Sequence, residues 1–362
     1  YKNKYYLQYG APGTEFSGYA DGVYVRSNPL GPFEYQSHNP FSYKPGGFAR
    51  GAGHGATYQD TKNDYWHVST IVISTKNNFE RRIGIWPAGF DEDGILYSNT
   101  AYGDYPTFLP SQKKNHLQES FSGWMLLNYN KPVQVSSTLG GFQPNFSNDE
   151  DIKTYWSAKT GAKGEYLISD LGEKSTIHAI QINFADQDVE LMGKPETTTG
   201  HKYIIYSSND GKNWKIAVDK SKNTKDVPHD YMELEKPITA RYLKVENIQM
   251  PTGKFAISGF RIFGKGTGQK PDAVQNFAPL RAEARKKGER RSVWFKWQQE
   301  PNADGYVIYF GKSPEKLYGS IMVYGKNEYY FSGLDRSDTY YFQIEAFNSN
   351  GIGPKSEIKK SE

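Results

Sequence analysis

Tyr206-Ser207-Ser208-Asn209-Asp210-Gly211-Lys212-Asn213-Trp214 spells out a hairpin. The Asp-Gly pair marks the tight turn, because glycine accepts the positive φ that such turns demand. Around it lie Tyr166-Leu167-Ile168-Ser169-Asp170-Leu171-Gly172 and Arg241-Tyr242-Leu243-Lys244-Val245, stretches in which β-branched and aromatic residues alternate with polar ones. The last strand of this unit, Phe255 to Phe263, runs into Gly264-Lys265-Gly266, so the unit is read as residues 133–265. Residues 266–271 have linker composition.

Upstream, short strands separated by turn clusters run from Lys4 to about Pro110: Lys4–Tyr9, Ala20–Ser27, His54–Gln59, Tyr65–Ile71 and Arg82–Pro87. The breaks are Asn28-Pro29-Leu30-Gly31-Pro32, Lys62-Asn63-Asp64 and Asp91-Glu92-Asp93-Gly94. Residues 1–115 therefore read as antiparallel blades, two or three of them at roughly 40–45 residues each. Tyr5, Leu7 and Tyr9 alternate with Tyr6 and Gln8 from the first residues, so the chain is expected to open inside a longer protein, with earlier blades upstream of Tyr1. Residues 116–132, with Trp124-Met125-Leu126-Leu127 before Asn130-Lys131-Pro132, read as a connector that packs down, and residues 272–362 as a further sandwich of short strands.

Composition agrees with an all-β chain rich in turns. Aromatics make up 15% of the 362 residues, with 28 Tyr, 7 Trp and 36 Gly, a balance that favours sheet cores over helix bundles. The 44 basic and 40 acidic residues leave a net charge of only +4, spread along the chain, so no nucleic-acid partner is expected. With no cysteine there are no disulfides and no thiolate metal sites. No apolar run approaches the roughly 20 residues that span a bilayer.

Three linked pieces carry a resemblance. Tyr5-Tyr6-Leu7-Gln8-Tyr9-Gly10-Ala11-Pro12-Gly13-Thr14-Glu15, Gly18-Tyr19-Ala20-Asp21-Gly22-Val23-Tyr24-Val25 and Pro29-Leu30-Gly31-Pro32-Phe33, continued by Gly53-His54-Gly55, Tyr65-Trp66-His67 and Phe79-Glu80-Arg81-Arg82-Ile83, resemble the closing blades of a glycoside hydrolase family 43 propeller. The resemblance implies an incomplete five-bladed β-propeller and an inverting hydrolase of the α-L-arabinofuranosidase or β-xylosidase type, acting on plant-polysaccharide side chains. Such chemistry needs two carboxyl groups about 6.5–9.5 Å apart. Neither family position for acid or base is present, so both are expected upstream of Tyr1, with Glu15 the fallback acid. The same resemblance makes His54 the channel histidine for a calcium-type ion, held directly or through water. Its bland alternative is a turn histidine between glycines needed for positive φ.

Arg81 and Arg82 precede Ile83-Gly84-Ile85-Trp86, where strand alternation sends one guanidinium inward to sugar hydroxyls or a carboxylate and the other to solvent, Arg82 matching the family's pocket arginine slightly better. Tyr19 and Asp21 lie after the first strand, where a turn presents them to the same sugar. His67, inside an alternating strand, reads as a packing residue, and Tyr97, Tyr102 and Tyr105 as core, rim or stacking faces.

The second unit resembles the discoidin, or factor 5/8 C-type, family through Asn145-Phe146-Ser147-Asn148-Asp149, Tyr155-Trp156-Ser157 and the three stretches quoted above. This implies a jelly-roll-like sandwich that either binds glycans through its end loops, around 148–153 and 186–199, or serves as a spacer. Trp156 and Trp214 are both expected in its core. The third unit resembles fibronectin type III, through Gly305-Tyr306-Val307-Ile308-Tyr309 and Thr339-Tyr340-Tyr341-Phe342, with Leu334 and Tyr340 at tyrosine-corner spacing, and implies a spacer. Together these imply a secreted, periplasmic or cell-surface monomer whose partner is an arabinose- or xylose-containing glycan. A non-catalytic adhesion protein using the discoidin unit is the rival reading.

Overall fold

The structure is a computed structural model that describes residues 1–13, 16, 18–77, 79–108, 115–189, 200–281 and 290–361. The described residues are all-β apart from two single-turn helices, His116–Glu119 and Pro144–Ser147. The N-terminal region forms two antiparallel four-stranded sheets. The first holds β1 (Tyr5–Ala11), β2 (Ala20–Arg26), β3 (Glu34–Tyr35) and β4 (Ser42–Tyr43). The second holds β5 (Arg50–Gln59), β6 (Tyr65–Val72), β7 (Arg81–Phe90) and β8 (Leu96–Ser98) in simple up-and-down order. The two pack in the manner of propeller blades through Val23, Phe41 and Leu96, with Tyr6, Val25 and Phe90 at the margin. The outer flanks are apolar and open: Tyr5, Leu7 and Tyr9 on β1, and Ile83 (74% exposed) and Ile85 on β7.

A short helix α1 (His116–Glu119) leads to β9 (Met125–Leu126), which pairs with the final strand of the second unit. That unit is an eight-stranded antiparallel sheet folded on itself: β9, β10 (Val133–Val135), β11 (Trp156–Ser157), β12 (Tyr166–Phe184), β13 (Lys202–Ser208), β14 (Lys215–Asp219), β15 (His229–Gln249) and β16 (Ala256–Lys265). The long strands β12 and β15 shift register between Asp170 and Ser175 and again between Ile177 and Ala179. Bulges of this kind bend a strand, and so one strand can serve both layers around the core of Trp156, Leu167, Ile180, Phe255 and Phe260. Trp214 departs from expectation. It stands half-exposed outside that core, between the turn and β14, its ring 5.5 Å from the Lys244 ammonium.

The third unit stacks a three-stranded sheet, β17 (Ala278–Leu280), β18 (Ser292–Lys296) and β21 (Glu328–Ser332), on a five-stranded one. The latter contains β19 (Gly305–Gly311), β20 (Gly319–Tyr324), β22 (Tyr341–Asn348), β23 (Gly351–Ile352) and β24 (Lys359–Lys360). Val293, Phe295, Ile308, Phe342 and Ile344 fill the space between them. Tyr340 makes the corner contact, its hydroxyl accepting from the Asp335 amide at 3.0 Å.

All three units share one seam. Tyr102, Tyr105, Met125, Leu126, Phe263, Val307, Met322 and Phe347 form a continuous apolar cluster. Beside it, Arg261 is fully buried and grips Glu150 through two bonds of 2.9 Å, donates to the Asp104 carbonyl at 2.7 Å, and lies close to the Lys44–Asp104 ion pair of 3.0 Å. Burial works to raise the Asp104 carboxyl, but Lys44 and Arg261 hold it below the ordinary carboxylate range. The 266–271 stretch is no loose tether: the Gly266 amide donates to the Ser349 carbonyl at 3.0 Å and the Gly268 amide to Asn350 Oδ1 at 2.9 Å. None of the helices among the described residues is long and apolar enough to cross a membrane.

Candidate functional site

Where the two blades meet, Asp21 on β2 lies opposite Gly10 on β1 and Ser42 on β4, all in tight antiparallel register. His67 on β6 lies opposite Thr57 on β5. Both Asp21 and His67 are excluded from solvent, and Asp21 Oδ2 meets His67 Nε2 at 2.9 Å. The other ring nitrogen sits 3.0 Å from Thr57 Oγ1, and that hydroxyl donates to Gln8 Oε1 at 3.1 Å. The edge of His67 packs against Phe41 with ring centroids 4.8 Å apart. One carboxylate oxygen, Asp21 Oδ1, is buried with no hydrogen-bond partner among the described residues. A buried polar atom left open costs about 1–3 kcal/mol, so it marks a place where water or a ligand is wanted.

The glycines of β5 make this arrangement possible by what they lack. A Cβ on Gly55 would lie 2.2 Å from the Val68 carbonyl and 2.5 Å from both Asp21 Oδ2 and His67 Nε2. One on Gly53 would enter the Tyr19 ring at 2.8 Å, and one on Gly10 would lie within 3.2 Å of the His54 amide, the Tyr19 hydroxyl and Asp21 Oδ1 together. The positive φ belongs instead to His54 itself, at 56°, on a strand whose register slips on both sides of Gly53. That corrects the turn reading: the flanking glycines serve close approach, and His54 is the residue in the left-handed conformation, with its side chain exposed.

Tyr19 joins the cluster at its rim. Burial and the neighbouring Asp21 charge push its hydroxyl above the usual range, and Arg81 offsets this in part. Arg81 also lies over the Phe79 ring at 5.3 Å. Arg82 faces the other way, donating to Glu80 at 3.1 Å, and His229 beside Glu80 holds that carboxyl down to about 2. Of the residues singled out in the sequence, Tyr19, Asp21, His54 and Arg81 thus share one region and Arg82 leaves it, while Glu15 lies outside the described residues. His67 is the satisfied packing residue that its strand pattern suggests; what the sequence did not show is its partner Asp21, 46 positions away. Among the described residues no three His, Cys, Asp or Glu side chains converge as metal ligands.

The second unit's end loop at 148–153, one of the two weighed for glycan contact against a spacer role, is taken up by the junction. Asn148, Glu150 and Ile152 are buried, Lys153 donates to the Ser74 carbonyl at 2.9 Å, and Arg50 pairs with Asp151 at 3.7 Å. The other loop is described only to residue 189. Tyr102 and Tyr105 are buried in the shared seam, and Tyr97 is stacked on Tyr318 at 3.8 Å, so none of the three is a free face.

Residues 132–258 match the F5/8 type C domain. The match runs from β10 to the first residues of β16, and so covers the unit that carries the Asp-Gly hairpin. No curated protein matches the chain. Among solved structures, one described as a glycoside hydrolase is 21% identical, with a TM-score of 0.39, over 72% of this chain and 57% of its own. The chain thus spans little more than half of that structure. A chitosan-binding module from a Paenibacillus sp. IK-5 chitosanase/glucanase is 23% identical over 39% of this chain and 99% of its own, with a TM-score of 0.33. A family 32 carbohydrate-binding module from Clostridium perfringens, solved with galactose, is 19% identical over 36% of this chain and 92% of its own, with a TM-score of 0.30.

Proposed function

We propose that this chain is the sugar-facing closing part of a family 43-type glycoside hydrolase, working outside the cytoplasm on arabinose- or xylose-bearing polysaccharide, with the F5/8 type C and fibronectin-like sandwiches as fixed supports. The observation that carries the reading is the buried Asp21–His67 pair with an open Asp21 oxygen beneath Tyr19, His54 and Arg81. A phenol and a guanidinium at the rim, above a buried carboxylate, are the kinds of donor and acceptor that sugar hydroxyls require. The apolar flanks of both blades are the surfaces that further blades of a ring would cover. On this reading the residues described bind a sugar without turning it over, since the family's acid and base positions are not among them.

A calcium-type ion would be held at His54 only through water. Calcium takes six to eight oxygen ligands, and the donor set here offers one imidazole and one carboxylate oxygen. The rival reading, in which the F5/8 type C unit alone binds glycan, draws no support from loop 148–153, which is spent on the junction.

The test is titration of the full chain with arabino- and xylo-oligosaccharides by calorimetry, alongside Gly55→Ala. That variant places a methyl against the Val68 carbonyl and the Asp21–His67 pair and is expected to weaken binding at least tenfold. Equal affinity in the variant, or no binding of either oligosaccharide by the parent chain, removes the proposal.

A further inference from the structure

A second cavity lies away from the blade site, where β7, the connector and the third unit meet. It has a volume of about 490 Å³ and is lined by Trp86, Tyr102, Gln118, Phe121, Tyr309, Glu345 and Lys355, with smaller residues between. At its wall Glu345 is 4% exposed. Its Oε1 accepts from the Tyr102 hydroxyl and from the Tyr309 hydroxyl, each at 2.8 Å. Its Oε2 accepts no hydrogen bond among the described residues. Burial pushes the Glu345 carboxyl up, and the two tyrosines and Lys355 offset this in part.

The walls choose among ligand classes. Tyr102 and Phe121 are stacked with centroids 4.8 Å apart, and Trp86 is anchored through its indole N–H on Ser69 Oγ at 2.6 Å, so the aromatic surfaces are fixed in advance. An anion would meet Glu345. An ammonium would meet Lys355, whose own charge already sits 4.1 Å from the centre of the Tyr309 ring. What remains is a neutral ligand with hydroxyls for the free carboxylate oxygen and Lys355, and C–H groups for the part-exposed Phe121 and Tyr309 rings, Trp86 and Tyr102 being buried wall; a volume within the usual 300–1,000 Å³ of small-molecule pockets admits one or two sugar rings.

We propose that this cavity is a second saccharide-binding site, taking a neutral mono- or disaccharide with Glu345 Oε2 as its hydroxyl acceptor. It does not rest on the blade-site reading, and the two are separable by experiment. Titrating the full chain with xylose, arabinose, galactose and glucose, followed by tryptophan fluorescence because Trp86 lines the wall, should give saturable binding for at least one sugar. Glu345→Gln should weaken it about tenfold, the effect of losing one hydrogen bond to a charged group. Gln118→Trp, at an exposed position on the lining, should abolish it by filling the space without touching the Glu345 network. Gly55→Ala should leave it unchanged. If Glu345→Gln fails to fold, Gln118→Trp decides alone. Absence of saturable binding for all four sugars, or unchanged affinity in Gln118→Trp, overturns the proposal.

Discussion

Asp304 offers a direct measure of the junction between the second and third units. Its carboxylate accepts from the Ser349 amide at 3.1 Å, while burial pushes its pKa up to about 6 and Lys131 only partly offsets this. In the unfolded chain an aspartate titrates near its ordinary value of 3.8. Between those two values the folded state holds a proton that the unfolded state has released. The resulting stabilisation is complete below about pH 4 and disappears as the pH climbs through about 6. A shift of about two units corresponds to about 3 kcal/mol, at about 1.4 kcal/mol per unit. Asp304→Asn keeps an acceptor for Ser349 and removes the buried charge, so it should stabilise the protein at pH 8 by up to about 3 kcal/mol and do little at pH 4. Unfolding entropy of about 2.1 cal/mol/K per residue over 362 residues converts that to a rise of about 4 °C in Tm. Calorimetric scans of both proteins at pH 4, 6 and 8 test it. An equal Tm difference at all three pH values, or a variant less stable at pH 8, would refute the argument that a buried charge is being tolerated there.

Arg261→Met should lower stability by about 3–5 kcal/mol, because it strands Glu150 without its buried cation and leaves Asp104 to Lys44 alone; adding Glu150→Gln should restore much of the loss, read from urea titration of the single and double variants. Trp156→Ala should cost about 3–5 kcal/mol while Trp214→Ala costs under about 1 kcal/mol, a contrast that equal costs in the same titration would erase.

Local signals carried the parts of the fold that were legible beforehand. Asp210 accepts from the amides of Lys212 and Asn213, and Gly211 takes a φ of 70°, so the hairpin that anchors the second unit is written into four adjacent residues. The spacing of Leu334 and Tyr340 likewise foretold the contact with the Asp335 amide, only five positions away. What the chain concealed is long-range. His67 is an ordinary strand histidine until folding brings Asp21 beside it, and nothing near Arg261 announces Glu150, 111 positions earlier. Trp156 and Trp214 read alike because both follow polar turns, and only packing separates them: Trp156 stands on Phe255 inside the core, while Trp214 lies beside the Lys244 ammonium outside it. At 266–271, composition suggested freedom, but backbone amides in a glycine-rich run are also the easiest to tie down, since no side chain keeps a neighbouring carbonyl away.

That tied segment and the seam beside it fix spacing as well as position. On the two-site proposal a polysaccharide would meet calipers rather than beads on a string, because the shared seam holds the two proposed sites at one separation and one angle. A ligand whose own repeat fits that gap gains the second contact at little further entropic cost, and one that does not must settle for a single grip.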